Sequence, residues 1–155
     1  MISILAERKT LKLFRVSPST ADSPEIWNGF GNATTESLEQ SYLQRVELET
    51  KDIALGCHLW VAYKAHNLDR LKELSFQKSK CFSNLEEVCQ AHIDRFGDPS
   101  ILSRPDRVIK EIIQDGHIDF ESVMAEFSKR EGIYGIGDLQ LKKIYDKQMM
   151  KNLNQ

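Results

Sequence analysis

Gly135 and Gly137, followed by Lys142, Lys143 and Lys147, are the residues whose types and spacing point most directly to a ligand. A glycine lacks a Cβ, so the backbone turns tightly and a ligand can come close to the amides. The residues after Gly137 have helical periodicity, which would place a helix N-terminus, with its free amides and positive dipole end, against the bound group. Three lysines at helical spacing just beyond would add positive charge. The chemistry this implies is non-covalent contact with a phosphate, and phosphate contacts carry no base-sequence information.

The stretch Ile133-Tyr134-Gly135-Ile136-Gly137-Asp138-Leu139-Gln140-Leu141-Lys142-Lys143-Ile144 resembles the hairpin and second helix of the helix-hairpin-helix motif. That pattern runs apolar-X-Gly-apolar-Gly, three variable residues, a small residue, then an apolar residue three further on. The resemblance implies contact with nucleic-acid backbone through Gly135, Gly137, Lys142, Lys143 and Lys147. It covers residues 120–146 only. Leu141 stands where the motif has a small residue and Leu139 where it has a polar or basic one. Asp138 would put a carboxylate at the mouth.

Other chemistries find less in the chain. Cys89 and His92 share a helix face, with Cys81 and the Cys57–His58 pair upstream, but no C-x2-C or H-x3-H spacing appears and no metal is expected. No nucleophile elbow, P-loop or HExxH occurs, so no catalytic residue and no cofactor are assigned. Arg15, Thr34–Thr35 and Glu47-Leu48-Glu49 are similar in type to elements of ADP-ribosyltransferases. Their spacing leaves no room for that fold's intervening strands, and Glu47–Glu49 reads as a solvated helix face. Residues 107–127 could be two helices around a glycine turn, but Phe120-Glu121-Ser122 is too acidic to open a DNA-reading helix. Trp60, Tyr63, Phe76 and Phe82 read as core aromatics rather than a base-stacking platform.

A protein partner is the competing reading. The loop 17–35 carries Trp27 and Phe30 among Ser, Pro, Gly and Asn, and these two aromatics are candidate anchors. Residues 1–16 and 129–151 are locally basic, whereas the middle of the chain is acidic although net charge is only −2. Such a body could occupy a basic groove on a larger bacterial or viral complex as a regulator or inhibitor. Nucleic-acid backbone and a protein surface are therefore the two expected partners.

The elements that must position these residues follow from periodicity and punctuation. "ISILAERKTLKLFRVS" predicts two short strands around a turn at Glu7–Thr10, and residues 17–35 a long loop. From Thr35, as N-cap, a helical period runs through Leu38, Tyr42, Leu43 and Val46 towards Asp52. "IALGCHLWVAY" (53–63) has the length of a buried helix and the Val, Trp and Tyr of a central strand; helical flanks favour a helix. Asn67 caps the next helix, Ser83 with Glu86 forms a capping box for residues 84–96, and Gly97 ends it. Ser103 with Pro105 starts another helix, which Gly116 ends. Asp119 caps residues 120–131, Gly132 stops them, and Asp138 caps the last helix.

These elements add up to a mainly helical α+β protein. It is a compact bundle of short helices with a small N-terminal β-hairpin, in one domain over 1–155, with hairpin and loop in 1–35 and the helical body in 36–155. Hydrophobic content of 41% and charged content of 28% are those of a globular chain, which excludes fibrous and disordered classes. The longest apolar run is about half a bilayer span, so no membrane segment is expected. Charges follow rather than precede the apolar residues at the N-terminus, and three cysteines fit a reducing compartment, so a cytoplasmic location is expected.

Overall fold

The computed structural model describes residues 12–18, 24–98 and 100–153. The protein is mainly helical, with one small antiparallel two-stranded sheet. Strand β1 (Phe14–Arg15) pairs with β2 (Val46–Glu47), Phe14 opposite Glu47 and Arg15 opposite Val46. The expected turn at Glu7–Thr10 and the strand before it lie outside the described residues. The partner of Phe14–Arg15 is thus found far along the chain.

That pairing corrects the long helix expected from Thr35 to Asp52. Helix α1 (Thr35–Leu43) starts after Thr34, whose hydroxyl accepts from the Ser37 amide, and stops at Gln44. The chain then extends, and the Leu48 amide donates to the Leu13 carbonyl at 2.8 Å. Val46 and Leu48 alternate with Glu47 and Glu49, a period of two that a 3.6-residue reading of Leu38, Tyr42 and Val46 had masked. Helix α2 (Thr50–Lys64) follows, so residues 53–63 are helical as expected. Asp52 fixes its first turn by accepting from the Glu49 amide at 2.9 Å and from the Ser79 hydroxyl at 2.6 Å.

Helix α3 (Leu68–Ser75) is capped by Asn67, α5 (Arg104–Gln114) by Ser103 and α6 (Phe120–Glu131) by Asp119, all as expected from local sequence. Helix α4 (Leu85–Phe96) begins after Asn84 instead of through a Ser83–Glu86 box; the Ser83 hydroxyl accepts from Arg15 at 3.4 Å. Gly97 follows the last residue of α4 as its cap, and a Cβ there would stand 2.8 Å from the Ile93 carbonyl oxygen, so any other residue would force a shift.

Helix α6 ends at Glu131 with Gly132 in its C-cap position, as expected. The chain then makes one 3-10 turn, Gly132–Tyr134, and reverses at Gly135, whose φ of 53° suits a residue without a Cβ. Helix α7 (Asp138–Leu153) then begins. Gly137 stands in the cap position expected of Asp138: its carbonyl accepts from the Gln140 and Leu141 amides, and Asp138 is the first helical residue.

Two apolar clusters hold these elements. One joins Val108, Ile109, Ile112 and Ile113 of α5 to Val123 and Phe127 of α6 and Leu141 of α7. The other joins Leu55 and Ala62 of α2 to Leu71 and Leu74 of α3, with Phe82 and Leu85 packed on it. The α5 residues recur on one stripe, with Lys110, Glu111 and Gln114 outside. Among the described residues no helix is long and apolar enough to cross a membrane.

Candidate functional site

The hairpin glycines are open. Both are exposed, and among the described residues nothing lies within 4 Å of where a Cβ would stand at Gly135 or Gly137. The Ile136 and Gly137 amides make no hydrogen bond among the described residues. The surrounding charge is mixed. Asp138 Oδ1 accepts from the Leu139 amide, which holds its carboxylate at the helix mouth. Lys142 pairs with Asp146 one turn on and lies over the Phe120 and Tyr145 rings. Lys147 reaches Asp106 of α5 at 3.2 Å, and Lys143 is exposed and forms no ion pair among the described residues. Leu141 is only 1% exposed and belongs to the core, while Leu139 is 76% exposed.

The two expected anchors in the loop 17–35 behave differently. Trp27 sits in a 3-10 turn, Pro24–Asn28, and its indole lies about 3.5 Å from the position a Cβ would take on Gly132. It therefore docks the loop onto the turn before the hairpin and is half-buried, whereas Phe30 is exposed. The residues with ADP-ribosyltransferase-like types are taken up by the fold. Arg15 donates to Lys80 O and to Ser17 and Ser83 hydroxyls, Thr34 caps α1, and Glu47 pairs with Lys12 from a strand, not a helix face.

Two surfaces escaped the sequence reading. The first surrounds α1, whose only buried residue is Ser41. Leu38, Tyr42 and Leu43 are 45%, 58% and 68% exposed. The Arg45 guanidinium lies 4.3 Å from the Tyr42 ring centroid and 5.3 Å from that of Phe14, so β1 and α1 present one continuous apolar and cationic corner.

The second corrects the reading of Trp60, Tyr63 and Phe76 as core. All three are more than half exposed; only Phe82 of the four packs inward. The Trp60 and Tyr63 rings stack, 5.7 Å apart and 18° from parallel. Tyr63 meets His92 of α4 at 5.1 Å, and His92 meets Phe96 at 4.9 Å. His66, held at φ 51° in the turn after α2, stands edge-on to both His92 and Phe96. Lys64 lies over Trp60 and Arg95 over Phe96. Spacing alone put Trp60 and Tyr63 on one helix and His92 and Phe96 on another; their meeting depends on how α2, α3 and α4 pack.

Burial, with His66 and Arg95 nearby, holds His92 below its ordinary value of 6.5. The unfolded chain then binds the extra proton first, so stability rises with pH up to about 6.5 and falls on acidification below it. Thermal midpoints of wild type and His92→Leu measured between about pH 5 and 7 are expected to diverge, the variant losing part of the acid-side slope. Equal slopes would assign the pH response elsewhere.

Among the described residues no three His, Cys, Asp or Glu side chains are placed to hold a metal ion. Burial pushes the Cys89 thiol above its ordinary value, as it does that of Cys81, where the Asp52 charge adds to the effect. An open groove of about 510 Å³ between α3 and α4 is lined by charges of both signs, including Lys72, Glu86, Glu87 and Arg104. No protein-family model matches the chain, and neither a curated protein nor a solved structure matches it significantly.

Proposed function

We propose that the chain is a non-catalytic protein-binding module whose docking surface is the corner formed by β1 and α1. The observation that carries this reading is the exposure of Leu38, Tyr42 and Leu43 on a helix of 9 residues. Isolated helices shorter than about 12–15 residues are marginal in water, and a lone two-stranded ladder is too. Both depend on packing, yet their apolar side chains face solvent. Aromatic side chains with an arginine across them are the composition of interface hot spots. The corner is cationic through Arg45, so it suits an apolar partner surface carrying acidic groups on a larger complex, where such a module would act as a regulator or inhibitor.

The test is capture from nuclease-treated native extract with wild type and with Leu38→Asp/Leu43→Asp. Wild type should retain a stoichiometric protein that the variant loses, while the melting midpoint stays within about 2 °C, as for surface changes. Retention of the same protein by the variant sinks the reading. So does a large fall in the midpoint, which would make this face structural.

Phosphate contact at the Gly135–Gly137 hairpin is a second reading, favoured by the open Ile136 and Gly137 amides and by the exposed Lys143 further along α7. The charge-reversal arm described next measures it.

A further inference from the structure

We infer that the Trp60–Tyr63–His92–Phe96 shelf is a binding site for single-stranded nucleic acid, with bases stacked on the exposed rings and phosphates held by Lys64 and Arg95. Three observations converge. Trp60 and Phe96, at the two ends of the ring series, are 57% and 46% exposed, so each has open ring surface. Neither Lys64 nor Arg95 forms an ion pair among the described residues; each rests on a ring instead. Their stems are long and rotatable, so both cations can swing onto phosphates and uncover the rings. The third observation is the polarity of α4. Glu86, Glu87, Gln90 and Asp94 lie away from the shelf, the first three lining the groove beside α3 and Asp94 pairing with Arg104, which leaves His66, His92, Lys64 and Arg95 around the rings.

Rings of low sequence preference flanked by free cations are the chemistry that holds single strands. A duplex keeps its bases stacked internally and offers this surface only phosphate. An acidic protein segment would use the cations but leave the ring faces without stacking partners, so the exposed series of rings favours nucleic acid. The His92 Nε2 atom, buried and without a hydrogen-bond partner among the described residues, belongs to the same ring series.

Trp27→Phe leaves Trp60 as the sole tryptophan, so its fluorescence reports on the shelf directly. Oligo-dT and oligo-dA of about 15 nucleotides, within the span of known single-strand sites, should quench it saturably at low salt. In parallel anisotropy titrations Trp60→Leu should weaken binding roughly 5- to 150-fold, the effect of removing one stacking ring. Trp60→Phe, which keeps a ring, should retain most of the affinity. Lys64→Glu/Arg95→Glu should weaken binding further and flatten the salt dependence by about 0.7 per lost phosphate contact. A duplex of the same length should bind more weakly.

Four results would overturn the assignment. One is no quenching at low salt; another is equal affinity for Trp60→Leu and wild type. Quenching by a poly-glutamate peptide with none by the oligonucleotides would give the shelf to an acidic protein segment. Loss of binding in Lys142→Glu/Lys143→Glu but not in the shelf variants would give the nucleic acid to the hairpin. Melting curves of each variant confirm that the compared proteins are folded.

Discussion

Leu141→Ala is expected to destabilise the protein by about 2–5 kcal/mol, the range for truncating a fully buried leucine. In a chain of this size that corresponds to a fall of roughly 4–20 °C in the melting midpoint. Leu141 is 1% exposed and packs with Ile109, Ile112, Val123 and Phe127, themselves at most 2% exposed. Three of these neighbours are β-branched and stiff at χ1, so they cannot close the space left by the lost methyl groups, and the upper half of the range is expected. Leu139→Ala, two residues earlier on the exposed side of α7, should stay within about 0.5 kcal/mol. Urea denaturation followed by far-UV circular dichroism measures both. The pair also tests how the hairpin packs. A helix-hairpin-helix arrangement would welcome a small residue at 141, so a neutral Leu141→Ala would favour that geometry over the leucine-filled one.

The second large effect is expected at Arg104. Its Nε donates to Glu131 Oε1 at 3.2 Å and stands 3.1 Å from Oε2, while Nη1 reaches Asp94 at 3.3 Å. Glu131 is 6% exposed, so Arg104→Met leaves a buried carboxylate without its counter-charge. Breaking a buried pair in this way costs 3–5 kcal/mol; the arginine is itself a third exposed, and about 3 kcal/mol is expected. Methionine keeps most of the stem's packing, so the loss reports charge rather than volume. The double variant Arg104→Met/Glu131→Leu should recover most of the stability, because apolar replacement of a buried pair is often neutral or better. A double-mutant cycle with a coupling energy below about 0.5 kcal/mol would mean that the pair is energetically idle. Tyr134 lies against the same guanidinium, 5.9 Å from ring centroid to charge centre. Burial pushes its phenol up to about 12 against the pull of Arg104, so it stays neutral throughout these measurements.

Helix starts were legible where the signal is local. Asn67, Ser103 and Asp119 each accept from an amide three residues on, and nothing distant competes with that bond. The strand at Val46–Glu47 was not legible, because its partner is Phe14–Arg15 and a helical period ran through the same apolar residues. The burial of α2 was misread for a related reason: a helix apolar on every side announces that it will be covered, but not by what. Here only the side carrying Leu55 and Ala62 meets α3. In the candidate hairpin the glycines and lysines were legible as residue types. The Lys142–Asp146 pair follows from i,i+4 spacing, whereas the Lys147–Asp106 pair needs the packing of α7 on α5. The shelf required two helices to meet, so Trp60 and Tyr63 read as core and His92 and Phe96 were not joined to them.

The two apolar clusters share no residue, and α4 lies between the helices that form them. In terms of cooperativity, the chain contains two potential folding units whose coupling passes through a narrow seam. Arg104 spans that seam, tying α5 to Asp94 of α4 and to Glu131 of α6. Opening at the seam would leave both clusters intact, so it is one sub-global excursion open to the molecule. The aromatic shelf joins the α2–α3 unit to α4, and the glycine hairpin belongs to the unit built on α5, α6 and α7. A ligand gripping only one of them would raise the protection of one half of the chain while leaving the other to exchange at its own rate.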